Sequence, residues 1–332
     1  MSTSSSAARR LDQAGRAAAA LPPSSFFLVS AVFHYLGPSL AVLLFTHVDV
    51  LGVAWLRIAS AAAVFAVWRR PWRRLGRLDA RRLRVLLGLG AVLAAMNSLF
   101  YLAVDRLPLS TVGAIEFLGT VLLAAAGTRT RRNVVALLLA VGGVAALTDL
   151  RIADEPLGFV FAFANCVGFM LYVVLGHRIA NSHTEGYPDN PGRDAAGRDG
   201  ARQAMDGIDQ LAAAMVVAAL VATPFGLSGA APSFVHPSWL AWGIGVGLCS
   251  SVIPYVTDQL AMARLPRATF ALMLAILPAA ATAIGLLVLR QVPTWEDLVG
   301  IALVVGGVAL HQQRPAASSS TPVEPSTRNR AR

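Results

Sequence analysis

Ten runs of apolar residues, each about 17–24 residues long, divide the chain. They lie near 26–46, 49–68, 85–104, 109–127, 133–149, 156–176, 208–227, 239–262, 268–289 and 294–312. Polar residues gather between the runs, and inside them neither the 3.6-residue stripe of a soluble helix nor the alternation of a half-exposed strand is sustained. Runs of this length suit the hydrocarbon core of a bilayer. A segment surrounded by lipid must satisfy its own backbone hydrogen bonds, so each run is expected to be a helix. The pattern predicts an all-α polytopic membrane protein with about ten transmembrane helices.

Composition agrees with a chain dissolved in lipid. Of 332 residues 56% are hydrophobic and only 14% charged, against about 45–50% and about 25% for soluble domains. The formal charge of +10 is carried by 28 basic residues, all Arg. They form no single basic patch, which argues against a nucleic-acid partner. Twenty-four fall in alternate gaps between runs, three (Arg106, Arg151, Arg290) fall in the other gaps, and Arg57 lies inside a run. By the positive-inside rule both termini are cytoplasmic, in a multi-pass protein of the inner membrane. Arg9-Arg10 superficially matches a twin-arginine signal, but the following run is too long for a cleaved peptide. Residues 1–25 are read as a cytoplasmic segment. The polar stretch 181–206 and the tail 313–332 are read as disordered cytoplasmic segments.

The two halves are related. Leu102-Ala103, Arg106-Leu107-Pro108 and Thr111 recur as Leu260-Ala261, Arg264-Leu265-Pro266 and Thr269. Val141-Gly142-Gly143-Val144-Ala145 recurs as Val305-Gly306-Gly307-Val308-Ala309. With five runs per half, the second half (150–312) must enter the membrane in the sense opposite to the first (26–149). Two inverted five-helix repeats are expected, an arrangement that places a carrier's site near the midplane.

Several stretches resemble the EamA type of the drug/metabolite transporter superfamily, in particular its threonine/homoserine exporter branch. They are Gly37-Pro38-Ser39-Leu40, Val53-Ala54-Trp55-Leu56-Arg57, Asn97-Ser98-Leu99-Phe100-Tyr101-Leu102, Ala114-Ile115-Glu116-Phe117 and Ile253-Pro254-Tyr255. The likeness spans nearly all of 26–312. It implies ten spans and export of small amino acids or related metabolites. Two places depart from the branch. Its acidic residue before the ninth-span proline is Leu277 here, and its Gly-Glu pair near the end of that span is Arg290-Gln291.

Isolated polar residues inside apolar runs mark candidate chemistry, because a charge at bilayer depth costs at least about 2.5–3.5 kcal/mol on insertion scales. Arg57, Glu116 and Asn97 each lie roughly 10–12 Å below the outer surface at 1.5 Å per residue. They could share one layer. Arg57 suits a substrate carboxylate through its planar fork, and Glu116 suits an amine or a coupling proton. An Arg57–Glu116 ion pair that only pins helices is the plainer reading. Tyr255 corresponds to Asn97 in the second repeat, and Asp258 follows it as a further proton or substrate candidate. Its plainer reading is an interfacial residue, solvated or paired with Arg264. Tyr101, His34, Asn165 and Tyr172 complete the candidate substrate-binding set, with hydrogen bonds between helices the alternative role for His34 and Asn165. Pro38, Pro254 and Pro278 can free carbonyls that line a cavity.

The remaining histidines, His47, His177, His183, His236 and His311, show no metal spacing, and Cys166 and Cys249 read as packing residues. Gly243, Gly245 and Gly247 follow no strand, and no Walker A pattern is present, so no cofactor is expected. The partners expected are a small-molecule substrate, the bilayer and protons. The leading reading is an alternating-access carrier and not an enzyme. A carrier of the same fold for a sugar, nucleoside, base or drug-like cation is the nearest alternative. An intramembrane enzyme and a sensor working through 181–206 are more remote.

Overall fold

The computed structural model describes residues 23–71, 80–127, 130–148, 155–181, 195–264 and 276–310. The segments 1–22, 182–194 and 311–332, and the start of the ninth apolar run, lie outside the described residues. All the regular structure among the described residues is helical, with no strand among them. The helices are α1 (Pro23–Leu44), α2 (Val50–Arg69), α3 (Ala80–Val104), α4 (Leu109–Gly127), α5 (Arg131–Thr148) and α6 (Pro156–Asn181). They continue as α7 (Ala195–Val235), α8 (Pro237–Gly247), α9 (Ile253–Arg264), α10 (Ile276–Leu289) and α11 (Trp295–Leu310). A π-helical turn, Leu248–Val252, joins α8 to α9 without a break. The ten continuous helical segments among the described residues therefore fall on the ten apolar runs. Six contain stretches long and apolar enough to cross a membrane: Ser25–Leu44, Val50–Arg69, Leu83–Val104, Pro156–Leu175, Gly207–Val235 and Pro237–Asp258.

One boundary differs from the sequence reading. α7 starts at Ala195, so twelve residues of the stretch read as disordered linker, 195–206, are helical. The physical reason is that polarity alone does not oppose a helix. Ala, Arg, Gln and Met in this stretch are good helix formers, and the helix-breaking Pro188 and Pro191 both precede it.

Helix ends are set by local chemistry. Asp49 Oδ1 accepts from the backbone N–H groups of Leu51 (2.9 Å) and Gly52 (3.4 Å), which caps α2. Arg70, with φ 49°, closes the other end of α2 in the left-handed conformation. Thr294 and Asp297 form a reciprocal cap on α11: Thr294 N–H donates to Asp297 Oδ2 (2.9 Å) and Asp297 N–H donates to Thr294 Oγ1 (3.3 Å). An Arg69–Asp209 ion pair ties the end of α2 to α7.

Lipid gives little hydrophobic drive between helices, so close packing of small residues must hold the bundle together. α2 packs along α7, α5 along α11, and α3 along α6, while α1 lies against α9 and α10. The α5–α11 contact is reciprocal. A Cβ on Gly143 would lie 2.5 Å from Gly300 O and 2.8 Å from Val304 Cγ2, and one on Gly307 would lie 2.6 Å from Ala136 O and 3.0 Å from Ala140 N. In each case a backbone sits where the side chain would go.

Gly307→Val is expected to destabilise the protein by about 1–3 kcal/mol through overpacking, read as a lowered melting temperature in detergent. The neighbouring Gly306→Ala, where a Cβ meets nothing within 4 Å, should leave the melt close to wild type.

Candidate functional site

Arg57 sits in the middle of α2 with only 5% of its surface exposed. A guanidinium so buried needs several acceptors, since an isolated charge in a medium of low dielectric is very costly. The turn between α8 and α9 supplies them. Pro254 has no N–H to give the carbonyl of Ser250 four residues earlier. That carbonyl accepts a hydrogen bond from Arg57 Nη2 (3.2 Å), and Ser251 Oγ accepts one from Arg57 Nε (3.0 Å). The guanidinium carbon lies 5.2 Å from the Tyr101 ring centroid, a cation–π contact. α1 closes on the same turn through Gly37, where a Cβ would fall 2.1 Å from Ser250 Oγ and 2.6 Å from Ser250 N. The proline, the serine pair, the glycine and the arginine thus form one packing unit.

Glu116, 4% exposed on α4, takes its hydrogen bond from a different partner. Asn165 Nδ2 of α6 donates to Glu116 Oε1 at 3.4 Å. Among the described residues no ion pair joins Arg57 to Glu116, so the pinning salt bridge held open by the sequence is not what the fold uses. Glu116 Oε2 and Asn165 Oδ1 are both buried without a hydrogen-bond partner, as is the Tyr35 hydroxyl. Asn97 Nδ2 donates to Leu93 O (2.7 Å) on its own helix.

A small cavity lies between these groups. Seven of the sequence-nominated residues line it: His34, Arg57, Asn97, Glu116, Asn165, Tyr172 and Tyr255. They come from six elements, α1, α2, α3, α4, α6 and α9. Tyr101 does not line the cavity but supports Arg57 from beneath. Asp258 lies one turn beyond Tyr255, half-buried and outside the lining, beside Ser30. The Arg264 side chain, its proposed partner, lies outside the described residues.

Pro38, Met96, Phe100 and Phe169 complete the wall. The last three carry no sequence signal that separates a cavity wall from ordinary helix packing. Ser250 and Ser251 were also missed, although two adjacent hydroxyls in an apolar run just before a proline are a usable signal. A second small cavity lies where α4, α10 and α11 meet, with Ser110, Thr282, Gln291 and Asp297 among its lining residues. Gln291 Oε1 accepts the Leu109 N–H (3.2 Å), so the residue that departs from the exporter branch caps the helix bearing Glu116. Among the described residues no group of three or more His, Cys, Asp or Glu side chains is placed to hold a metal ion.

Residues 199–311 match the EamA-like transporter family, so the chain carries an EamA-family domain. The threonine/homoserine exporter RhtA of Escherichia coli (strain K12) is 29% identical over 233 residues, 69% of this chain and 70% of that protein. The exporter of the same name from Salmonella typhimurium (strain SL1344) is 28% identical over 234 residues, with the same shares covered. A protein crystal structure with 19% sequence identity covers 86% of this chain and 96% of its own with a TM-score of 0.51, which shows a shared fold.

Ser251→Ala removes one of the acceptors that hold Arg57. It is expected to destabilise the protein by about 1.5–3 kcal/mol, the usual range for a hydrogen bond to a charged group. Thermal unfolding in detergent checks this, with Ser60→Ala as the control; Ser60 returns its hydroxyl only to Leu56 O and Arg57 O of its own helix.

Proposed function

We propose that this protein is a secondary transporter of the inner membrane that exports small amino acids, of the threonine and homoserine kind, by alternating access with proton coupling. The observation that carries the reading is the cavity bounded by Arg57 on one helix and by the Glu116–Asn165 pair on two others. A cation and an acidic group on one small, mostly aromatic and amide-lined space match the two charged heads of a zwitterion. The curated proteins it resembles are named for threonine and homoserine export.

In this reading the ten helices are two inverted repeats of five with both termini cytoplasmic. The packing supports it. Exchanging the repeats relates the α2–α7 and α5–α11 contacts to themselves, α3–α6 to the contact of α1 with α8 and α9, and α4–α6 to α1–α10. The glycine contacts obey the same exchange. Gly143 meets Gly300 and Val304, and Gly307 meets their counterparts Ala136 and Ala140. Arg57 grips the carboxylate through the guanidinium edge not committed to the π turn, and its orientation is held by Ser250 and Ser251. Glu116 receives the ammonium or the coupling proton. Asp258 lies on α9, a turn beyond Tyr255 towards the cytoplasmic side, and passes protons to and from that side.

Counterflow of labelled threonine in proteoliposomes, competed by amino acids, sugars, nucleosides and organic cations, tests this directly. Competition confined to small amino acids is the expected result. Exchange of another class would keep the carrier and discard the zwitterion. Glu116→Gln is expected to abolish gradient-driven flux in protein that still inserts and folds. Arg57→Lys should lower threonine exchange about tenfold or more, because an ammonium lacks the two-pronged geometry.

A further inference from the structure

Tyr35 of α1 is fully buried, and its hydroxyl has no hydrogen-bond partner. Its chain neighbours His34 and Pro38 line the cavity that holds Arg57 and Glu116. The Tyr35 ring reaches across to α4, where a Cβ on Gly113 would lie 3.0 Å from the hydroxyl oxygen and 3.4 Å from Cε1. The same point lies 3.4 Å from the Cβ of Ala281 on α10. Ala281 in turn lines the second cavity, together with Ser110 of α4. α10 packs against both α1 and α4, so Tyr35 stands where three helices meet, with one cavity on either side. Along α4 the order is Ser110 in the second cavity, Gly113 against Tyr35 and Glu116 in the first. At 1.5 Å rise per residue Ser110 and Glu116 differ in depth by about 9 Å, a gap that one aromatic side chain can close. The second cavity also takes in Pro108 and residues 291–293 from the α3–α4 and α10–α11 connections. The distribution of Arg puts those connections on the periplasmic side.

Resting on the carrier reading above, we propose that the second cavity is an outer station on the substrate's way to the periplasm, and that Tyr35 is the partition between it and the central cavity. The polar groups of the station suit a small hydroxylated amino acid. Thr282 Oγ1 gives its hydrogen to Pro278 O (2.9 Å) and keeps its lone pairs for a donor. Ser110 adds a second hydroxyl. Gln291, whose Oε1 is taken by the Leu109 N–H, offers its amide hydrogens. Asp297 lines the space as well, with Oδ2 engaged by the Thr294 N–H. Most of these groups are neutral, and neutral hydrogen bonds are weaker than the charge-assisted ones that Arg57 can make. The station therefore holds its occupant more loosely than the central cavity, as release requires.

The partition accounts for two features together. Gly113 leaves room for the ring, since a side chain there would press on the Tyr35 hydroxyl. The hydroxyl itself is left unbonded while the ring is in place, and a buried polar group without a partner costs free energy. Turning the ring towards the hydroxyls of Ser110 and Thr282 would relieve that cost and join the two cavities. The orphaned hydroxyl is thus a bias towards opening that is built into the closed arrangement, and Tyr35 is a gating residue with no part in holding the substrate in the central cavity.

Thiol labelling of the full chain in spheroplasts tests this. Cys166→Ser and Cys249→Ser remove the native thiols, and an anionic, membrane-impermeant methanethiosulfonate is applied from outside. Ser110→Cys, in the outer station, should react readily. Met96→Cys, in the central cavity, should react slowly beside Tyr35 and about tenfold faster beside Tyr35→Ala, because the rate follows the open fraction. Threonine should slow the labelling of Ser110→Cys. No reaction at Ser110→Cys, or equal rates at Met96→Cys with and without the tyrosine ring, overturns the proposal. Absence of protection by threonine, in protein that exchanges threonine, overturns the station. Protein that exchanges no amino acid sinks the substrate reading instead, and the labelling rates then decide the partition alone. Tyr35→Phe covers the case in which the alanine variant does not fold. It keeps the ring and drops the orphaned hydroxyl, so it should raise the melting temperature in detergent and slow the labelling of Met96→Cys. A lower melting temperature would mean that the hydroxyl is bonded in the closed arrangement, and the bias towards opening would be refuted.

Discussion

Arg57 is the group whose burial the rest of the site depends on. A guanidinium inside a bundle of membrane helices is tolerable only if its N–H groups find acceptors. Side chains alone do not provide them here. A proline withdraws one backbone donor, the chain passes through a π-helical turn, and the carbonyl left over is the one Arg57 takes. π turns of this kind are frequent at functional sites, and here the cause is legible: Ser250, Ser251 and Pro254 act on one side chain of another helix. Without Arg57 that carbonyl would lose the hydrogen bond that Nη2 gives it. Each feature makes the other affordable, and removing either should expose a buried polar group.

From that joint the architecture follows outward. Gly37 lets α1 approach the π turn closely, which brings His34 and Pro38 to the cavity. Tyr101 on α3 lies under the guanidinium. Glu116 does not neutralise Arg57 but is held across the cavity by Asn165 on α6. The two ionisable groups are therefore kept apart by separate sets of partners, which is what the proposed binding of a zwitterion's two ends would need. A direct ion pair would have satisfied each of them and left nothing for a substrate to do.

Much of this could be read from the chain itself, for a physical reason. Lipid imposes one rule on every spanning segment, so length and apolarity located the helices, and the alternation of Arg between gaps tested their number. The same rule made Arg57, Asn97, Glu116 and Asn165 conspicuous, since each is expensive where it stands. The cavity walls Met96, Phe100 and Phe169 were illegible because an apolar side chain is equally at home against lipid, a helix or a ligand. The partner of Glu116 was also hidden, because a spacing argument gives depth in the membrane but not direction around a helix. The helical start of α7 was missed because composition separates polar from apolar better than ordered from disordered. Gln291 stood out only as a departure from relatives, and its capping of α4 emerged only in three dimensions.

The central claim is that one cavity reads both charged heads of a small zwitterion. The most direct test is equilibrium binding of labelled threonine to the purified protein, competed by two analogues, one lacking the carboxylate and one lacking the ammonium. The account predicts that each analogue competes far more weakly than threonine, and that Arg57→Lys erases the discrimination against the first while Glu116→Gln erases it against the second. An analogue that competes as well as threonine in the wild type would contradict it, because the head it lacks would then have no partner in the site.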